Sequence, residues 1–390
     1  FVHNADTTKN KFMLSYKQRD DNVPVANDFL KATRAEDIEL SMSLLKMKNH
    51  KLRSTYTYRK LHIVSNTLTT LKPEETVLAR VEYNGNFLKN LISTNTYYEI
   101  GSGLEVKKEF LFIEVQPGQG THTFIGDLNN NGVKDLNEFE IAVFRDQANY
   151  IKIFTPTNEF VKIYTNQFNQ SLFLQPEAIW GGEKGLKKLV SRFSNRANFR
   201  TSRKVNNKDD YFNPFIADID DSSLVTINMG VLNTFYFNRT NTKFGADYIY
   251  QDNRDKSLLT NGVESRNQFS NTIKTRWNIT RVYTLVVLAS QAKKSNFSEF
   301  FINRNYNLFI QEIEPTFAIQ PNVKVRVSFL FNFKEKTNQP IYGGEKSISK
   351  KGGVELRFNM AAKGSIRANF NYIENTFSTT DNVSLAFEML

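Results

Sequence analysis

Between residues 323 and 333 every second side chain is apolar. Val323, Val325, Val327, Phe329, Phe331 and Phe333 share one face, while Lys324, Arg326, Ser328, Asn332 and Lys334 share the other, with Leu330 as the exception. A period of two is the mark of an antiparallel strand with one apolar and one polar side, and a helix cannot produce it. The pattern recurs. Val354, Leu356, Phe358 and Met360 form a second such row, Phe244, Ala246, Tyr248 and Tyr250 a third, and Val383, Leu385, Phe387 and Met389 a last. In the first half, Ile38, Leu40, Met42 and Leu44 do the same. The 33 Phe and 16 Tyr favour strands, and only 9 Pro leave long ladders uninterrupted.

The spacing of the connections narrows the architecture. Short turns are expected near 239–243, 279–282, 319–322 and 361–365. Long polar loops are expected near 252–266, 293–304, 334–351 and 376–381. Each hairpin is thus built alike, with tight turns at one rim and long loops at the other. That is the arrangement of a transmembrane β-barrel rather than a sandwich. In the first half, short turns fit near 47–50 and 84–87, and long loops near 18–36 and 63–75. Residues 101–159 then fall at the long-loop rim and 176–186 at the short-turn rim. Counting forward gives about sixteen strands. No run of about 18 apolar residues exists, so a spanning helix is excluded, whereas strands that alternate keep the mean hydropathy low, here −0.46. The chain opens at Phe1 in mid-pattern without a leader, as expected of a processed or excised segment.

Residues 127–138 read Asp-Leu-Asn-Asn-Asn-Gly-Val-Lys-Asp-Leu-Asn-Glu. Calcium takes six to eight hard oxygen ligands, and a twelve-residue loop can offer them from positions 1, 3, 5, 7, 9 and 12. Here these are Asp127, Asn129, Asn131, the Val133 carbonyl, Asp135 and Glu138, with Gly132 at the sharp turn. The flanks, Thr121–Ile125 and Phe139–Phe144, are strand-like rather than helical. The loop therefore looks like an EF-hand calcium loop without its helices, which suits a structural ion rather than a sensor. Three carboxylates and two neutral amides imply affinity in the ~10⁻⁴–10⁻³ M range of extracellular modules. Gly118, Gly120 and Gly126 would let the backbone bend just upstream. The competing reading is an Asn/Gly/Asp-rich turn without an ion.

Other chemistries find little support. With no cysteine there are no disulfides or thiolate sites. His3, His50, His62 and His122 lie far apart, with no local zinc pair. No Gly-x-Ser-x-Gly elbow occurs. Asp218-Ile219-Asp220-Asp221 reads as a polar loop tip, with a carboxylate pair of a polysaccharide-active enzyme as the sharper alternative. Trp180 and Trp277 fit interfacial girdles, a core or sugar stacking equally. Trp180-Gly181-Gly182-Glu183-Lys184 repeats as Tyr342-Gly343-Gly344-Glu345-Lys346, which is expected to be shared turn chemistry at opposite rims. Charge is balanced in residues 1–180, at 21 basic and 21 acidic residues, and uneven in 181–390, at 30 against 19, so the whole net charge of +11 lies in the second half. Without an RNA- or DNA-binding pattern this basicity points to a strand face, a pore lining or anionic lipid rather than nucleic acid.

Three stretches resemble large outer-membrane barrel proteins of Bacteroidetes-type bacteria. They are Tyr97-Tyr98-Glu99-Ile100-Gly101-Ser102-Gly103-Leu104-Glu105, the acidic loop running into Asn137-Glu138-Phe139-Glu140-Ile141-Ala142, and Asn233-Thr234-Phe235-Tyr236-Phe237-Asn238-Arg239. The resemblance, over much of residues 75–390, implies an outer-membrane location and a non-enzymatic role in transport, secretion or surface assembly, with lipid and other envelope proteins as partners. No plug or energy-coupling segment is visible.

The expectation is therefore an all-β antiparallel transmembrane barrel segment. Residues 1–111 and 160–390 would supply strands, and 112–159 a long outer loop holding Ca2+. Val323, Phe329 and Leu356 would face lipid, and Lys324, Arg326 and Arg357 the lumen. The rival readings are a secreted, calcium-dependent β-rich binding module and, behind it, the polysaccharide-active enzyme.

Overall fold

The computed structural model describes residues 2–3, 10–128, 132–207, 212–215, 224–259, 262–299, 304–360, 364–379 and 389. Strand accounts for 71% of the chain, which leaves helix to short connecting pieces. The strands are β1 (Val2–His3), β2 (Lys11–Val25), β3 (Asp28–Leu44), β4 (His50–Ile63), β5 (Glu74–Phe87) and β6 (Ile92–Glu114). Then come the short β7 (His122–Phe124) and β8 (Phe139–Ile141), followed by β9 (Tyr150–Leu174). Two helical turns, α1 (Glu177–Trp180) and α2 (Leu186–Val190), lead into β10 (Phe193–Val205), β11 (Leu224–Phe237), β12 (Phe244–Leu259) and β13 (Gly262–Asn278). The series ends with β14 (Tyr283–Ser298), β15 (Tyr306–Ile319), β16 (Val325–Asn338), β17 (Lys346–Met360) and β18 (Gly364–Ser378).

The architecture is a single antiparallel sheet of 15 long strands. Each strand pairs with the next in sequence from β2 to β6, β6 pairs with β9, and the succession resumes to β18. β1 adds two residues to the free edge of β2. No closed barrel is found among the described residues. The fifteen strands stand one short of the sixteen expected.

Cross-strand register carries an apolar row through β2–β6 and again through β11–β18, and between them Ile100 continues onto the buried Asn166 and Arg203 of the same face. Leu14 lies opposite Leu40, Leu40 opposite Tyr56, Tyr56 opposite Ala79 and Ala79 opposite Ile100. In the second half Phe235, Tyr248, Ile273, Ala289 and Ile313 follow one another across β11 to β15. Phe317, Phe329, Val354 and Phe370 continue from β15 to β18. The ladder between β15 and β16 breaks at Glu314 and Pro315, where the proline ring has no N–H to give.

The turns near 239–243, 279–282 and 319–322 stand where the spacing puts them, each with an Asn or Thr side chain bonded to following amides. Asn241 Oδ1 accepts from Lys243 N at 2.8 Å, Thr280 Oγ1 from Val282 N at 3.1 Å, and Asn322 Oδ1 from Lys324 N at 2.9 Å. Val323 falls in the last of these turns rather than on the strand row. The turn expected at 84–87 lies instead at residues 88–91, where Leu88, Lys89 and Asn90 take φ of 49°, 54° and 70°. Asn84-Gly85 reads as a turn signal, but Gly85 is still strand, paired with His50 at the end of the β4–β5 ladder and with Thr94 of β6, and the Tyr83 ring folds over it. A glycine in a strand can mark close approach of another group as well as a bend.

Two expected long loops are hairpins. Residues 18–36 and 252–266 form the paired ends of β2–β3 and β12–β13. Their polarity misleads because these ends carry charged residues that pair with each other. Asp20 lies 2.5 Å from Lys31 and 2.9 Å from Arg34. The 101–159 connection is likewise shorter than expected, since β6 and β9 pair as far as Glu114 and Tyr150. The loops expected at 293–304 and 334–351 shrink in the same way, to 299–305 and 339–345. Residues 383–388 of the last alternating row lie outside the described residues. Met389 is buried against Tyr306 and Leu308. The two Gly-Gly-Glu-Lys segments do fall at opposite rims, but with different backbones: Gly181 has φ −61° and Gly343 has φ 120°.

Candidate functional site

Two features stand out: the apolar face of the sheet and the acidic loop between β6 and β9. On the face, Ile273 is 52% exposed, Phe329 46% and Phe331 49%, and Leu40, Tyr56, Phe235, Tyr248, Trp277, Ile313, Val354, Leu356 and Phe370 are similarly open. Fully burying such side chains is worth ~1.5–3 kcal/mol each. Half-exposed, this dozen forgoes on the order of 12 kcal/mol, as much as the whole net stability of an ordinary domain. The described buried apolar residues gather only into two small clusters, one around Val205 and Ile227 and one around Leu308. Several buried side chains are instead polar, among them Asn332 and Asn338.

Aromatic rings mark the short-turn margin of this face. Phe193 lies 5.0 Å from Phe237, Phe237 6.4 Å from Phe244, and Tyr283 stacks on Phe317 at 5.9 Å. Trp277 is the cross-strand partner of Phe244 in the same row. Farther along the strands Tyr250 and Phe269 meet at 5.4 Å. From Trp277 to Phe269 is about 27 Å along an extended strand, and less along the sheet normal to the rims once strand tilt is counted.

On the opposite face Arg326 pairs directly with Arg357, and Glu355 lies 3.0 Å from Arg357 and 3.5 Å from Arg367. Asn332 donates to Glu312 at 2.7 Å and to Glu314 at 2.9 Å, and Lys334 stands 3.2 Å from Glu312. Lys324 belongs to the turn before β16.

The acidic loop rests on an aromatic cluster. Phe112 stacks on Phe139 at 4.1 Å, and Phe139 meets Phe124 at 5.3 Å and Tyr150 at 4.9 Å. His122 is buried beside Phe112 at 5.0 Å, where burial and the nearby Lys152 push its pKa down. Lys134 caps the cluster above the Phe124 and Tyr150 rings and lies 3.3 Å from Glu114. Its pKa is raised and that of Glu114 lowered, chiefly by their shared hydrogen bonds with the Tyr150 hydroxyl. None of these rings was singled out as a site residue by the sequence. The aromatic residues Phe124 and Phe139 that closely flank the loop on both sides were the available signal.

Of the expected calcium ligands, Asp127, Val133, Asp135 and Glu138 are described, and Asn129 and Asn131 lie outside the described residues. Asp127 Oδ2 accepts from Gly132 N at 2.7 Å, and Gly132 has φ 73°. Glu138 is fully buried. Its Oε1 accepts from Leu128 N at 2.8 Å and its Oε2 from Asp135 N at 2.9 Å. The loop is therefore folded back on itself, with its first and last acidic residues turned to the loop backbone. Gly118 and Gly126 take φ of 83° and 115°, and Gly120 lets Tyr150 pass so closely that a Cβ would meet its backbone at 2.6 Å. Among the described residues no three His, Asp or Glu side chains form a ready-made metal cage.

The histidines stay separate: His50 Nδ1 meets the Tyr83 hydroxyl at 2.8 Å and His62 lies 3.3 Å from Glu36. Asp218, Asp220 and Asp221 lie outside the described residues. The class these features define is a large all-β protein with an exposed apolar sheet face. No protein-family model matches the chain, and no curated protein is significantly similar to it.

Proposed function

We propose that the chain is the membrane-embedded sheet of a bacterial outer-membrane β-barrel protein with a non-enzymatic role in envelope transport, secretion or surface assembly. The observation that carries this reading is the inverted distribution of the sheet: apolar rows over β2–β5 and β11–β18 are open while several polar side chains, among them Asn332 and Asn338, are buried. In water such a face gains nothing on folding. Against hydrocarbon it is satisfied, and the aromatic row at the short-turn margin suits the headgroup level. Closing the sheet would also satisfy the outer edge of β18, which has no second partner strand among the described residues, whether by residues of this chain or by strands of another. Reconstitution tests it. Folding into lipid vesicles, with the hairpins between the aromatic rows shielded from protease, is the expected outcome. A monomer that stays dissolved and folded without detergent overturns it in favour of a secreted β-rich binding module.

In the same reading the 115–149 loop lies on the outer side and holds one Ca2+ through Asp127, Asn129, Asn131, the Val133 carbonyl, Asp135 and Glu138. The support is Glu138, a fully buried carboxylate whose described partners are the backbone amides of Leu128 and Asp135. Burying such a charge is costly, and a cation beside it offsets that cost. Calcium would supply the cross-link that orders the loop. Calorimetric titration tests the assignment, and binding heat unchanged in both Asp127→Ala and Glu138→Ala would refute it.

A further inference from the structure

At the short-turn rim, on the polar face, β9, β10 and the turn after β11 enclose a cavity of about 820 Å³. Arg192, Arg196 and Arg239 line it together with Lys188, and Glu177 is its one carboxylate among the described residues. Among the described residues none of the three arginines forms an ion pair there, although the Asp247 carboxylate on β12 is near enough to Arg239 to feel its charge. Two of them are held by an aromatic ring instead. The guanidinium carbons of Arg196 and Arg239 each stand 5.3 Å from the centre of the Phe173 ring, and Arg239 is also 4.9 Å from the Tyr236 ring. The Glu177 carboxylate is engaged by the Thr240 hydroxyl at 3.1 Å rather than by an arginine. The turn is shaped for this. Asn238, with φ 54°, donates its N–H to the Arg192 carbonyl at 2.8 Å and so draws Arg192 and Arg239 to the same mouth.

Converging guanidinium groups with more positive than negative charge around them are costly to assemble unless an anion arrives, because like charges repel and each fork leaves several N–H donors free. The Phe173 ring holds two of the guanidinium groups beside it without using those donors. Guanidinium forks match the paired oxygens of phosphate and carboxylate groups. We infer that this cavity is an oxyanion-binding site, in which Arg192, Arg196 and Arg239 around Phe173 receive a phosphate or carboxylate group of a polar solute. The site does not depend on what covers the apolar face.

Calorimetric titration of the full chain in detergent micelles tests it, with inorganic pyrophosphate, inorganic phosphate and citrate as separate probes, the last distinguishing carboxylate from phosphate. Saturable heat is expected with at least one probe. Arg196→Gln and Arg239→Gln should each weaken it by about tenfold, and Arg239→Lys should also weaken it, since it keeps the charge but loses the fork. Phe173→Leu should weaken it about threefold. Glu177→Gln should tighten binding, a gain that misfolding cannot imitate. Arg53→Gln, on another part of the sheet, should leave it unchanged. Absence of saturable heat with all three probes up to about 10 mM, a thousandfold above a ~10 µM site, overturns the inference. So does an equal loss in Arg53→Gln and Arg196→Gln, which would mean diffuse charge attraction.

Discussion

The sheet and the 115–149 loop obey opposite rules. In the loop, rings turn inward: Phe112, Phe124, Phe139 and Tyr150 pack on one another, and the charged Lys134 lies over them. In the sheet, rings such as Phe329, Phe331 and Phe370 point away from the protein, and asparagines and charged pairs occupy the other face. One composition thus serves two surroundings. On the proposed reading, a water-facing module builds a small core, whereas a lipid-facing sheet needs none, because its solvent does that work.

The sharpest way to break this contrast is a charge on the apolar face. Phe329→Arg is expected to cost about 2–4 kcal/mol of stability in lipid vesicles, measured by urea unfolding. If the face is wet, the cost stays within about 0.5 kcal/mol, and the two regions would then share one solvent. Next is Phe139→Ala in the loop. This partly buried ring should cost about 2 kcal/mol, below the full-burial value. Hydrogen exchange should then report faster opening of 115–149 with β10–β18 unaffected. If the two regions opened together, they would not be separate folding units.

A smaller effect concerns the ion. Glu138→Gln keeps the size of the side chain but removes its charge and one of its two ligand oxygens, and a loss of calcium affinity of about tenfold is expected by calorimetry. The smallest concerns pH. His122 has its pKa depressed in the folded loop below its ordinary value of 6.5. The unfolded loop therefore binds the proton more readily, so the stability contribution of neutral His122 is complete above pH 6.5 and is lost as pH falls below it. Limited proteolysis of 115–149 should quicken between about pH 7 and 5, and His122→Phe should remove that dependence while the sheet shows none.

The part of the fold legible in the residue order was the part governed by nearest neighbours. Alternation along β16 and β17 assigned the two faces, and Asn241, Thr280 and Asn322 marked turns because each bonds to amides two or three residues on. The acidic loop was legible for the same reason, since its spacing is local. Strand ends were not. Residues 18–36 and 252–266 looked like loops because their polarity says nothing about the partner strand that satisfies their backbone. Asn84-Gly85 looked like a turn because the Tyr83 ring that needs the missing Cβ is invisible in the pattern.

By itself, then, the order of residues determined that the chain forms antiparallel ribbons with one greasy side, since a period of two is a property of the strand backbone. Only the tertiary structure decided how far each ribbon runs, that Phe112 and Phe139 lock beneath the acidic loop, and that Phe173, Arg196 and Arg239 meet at one mouth. Those contacts join residues 23 to 66 positions apart, and their geometry comes from register between strands, which no local pattern carries.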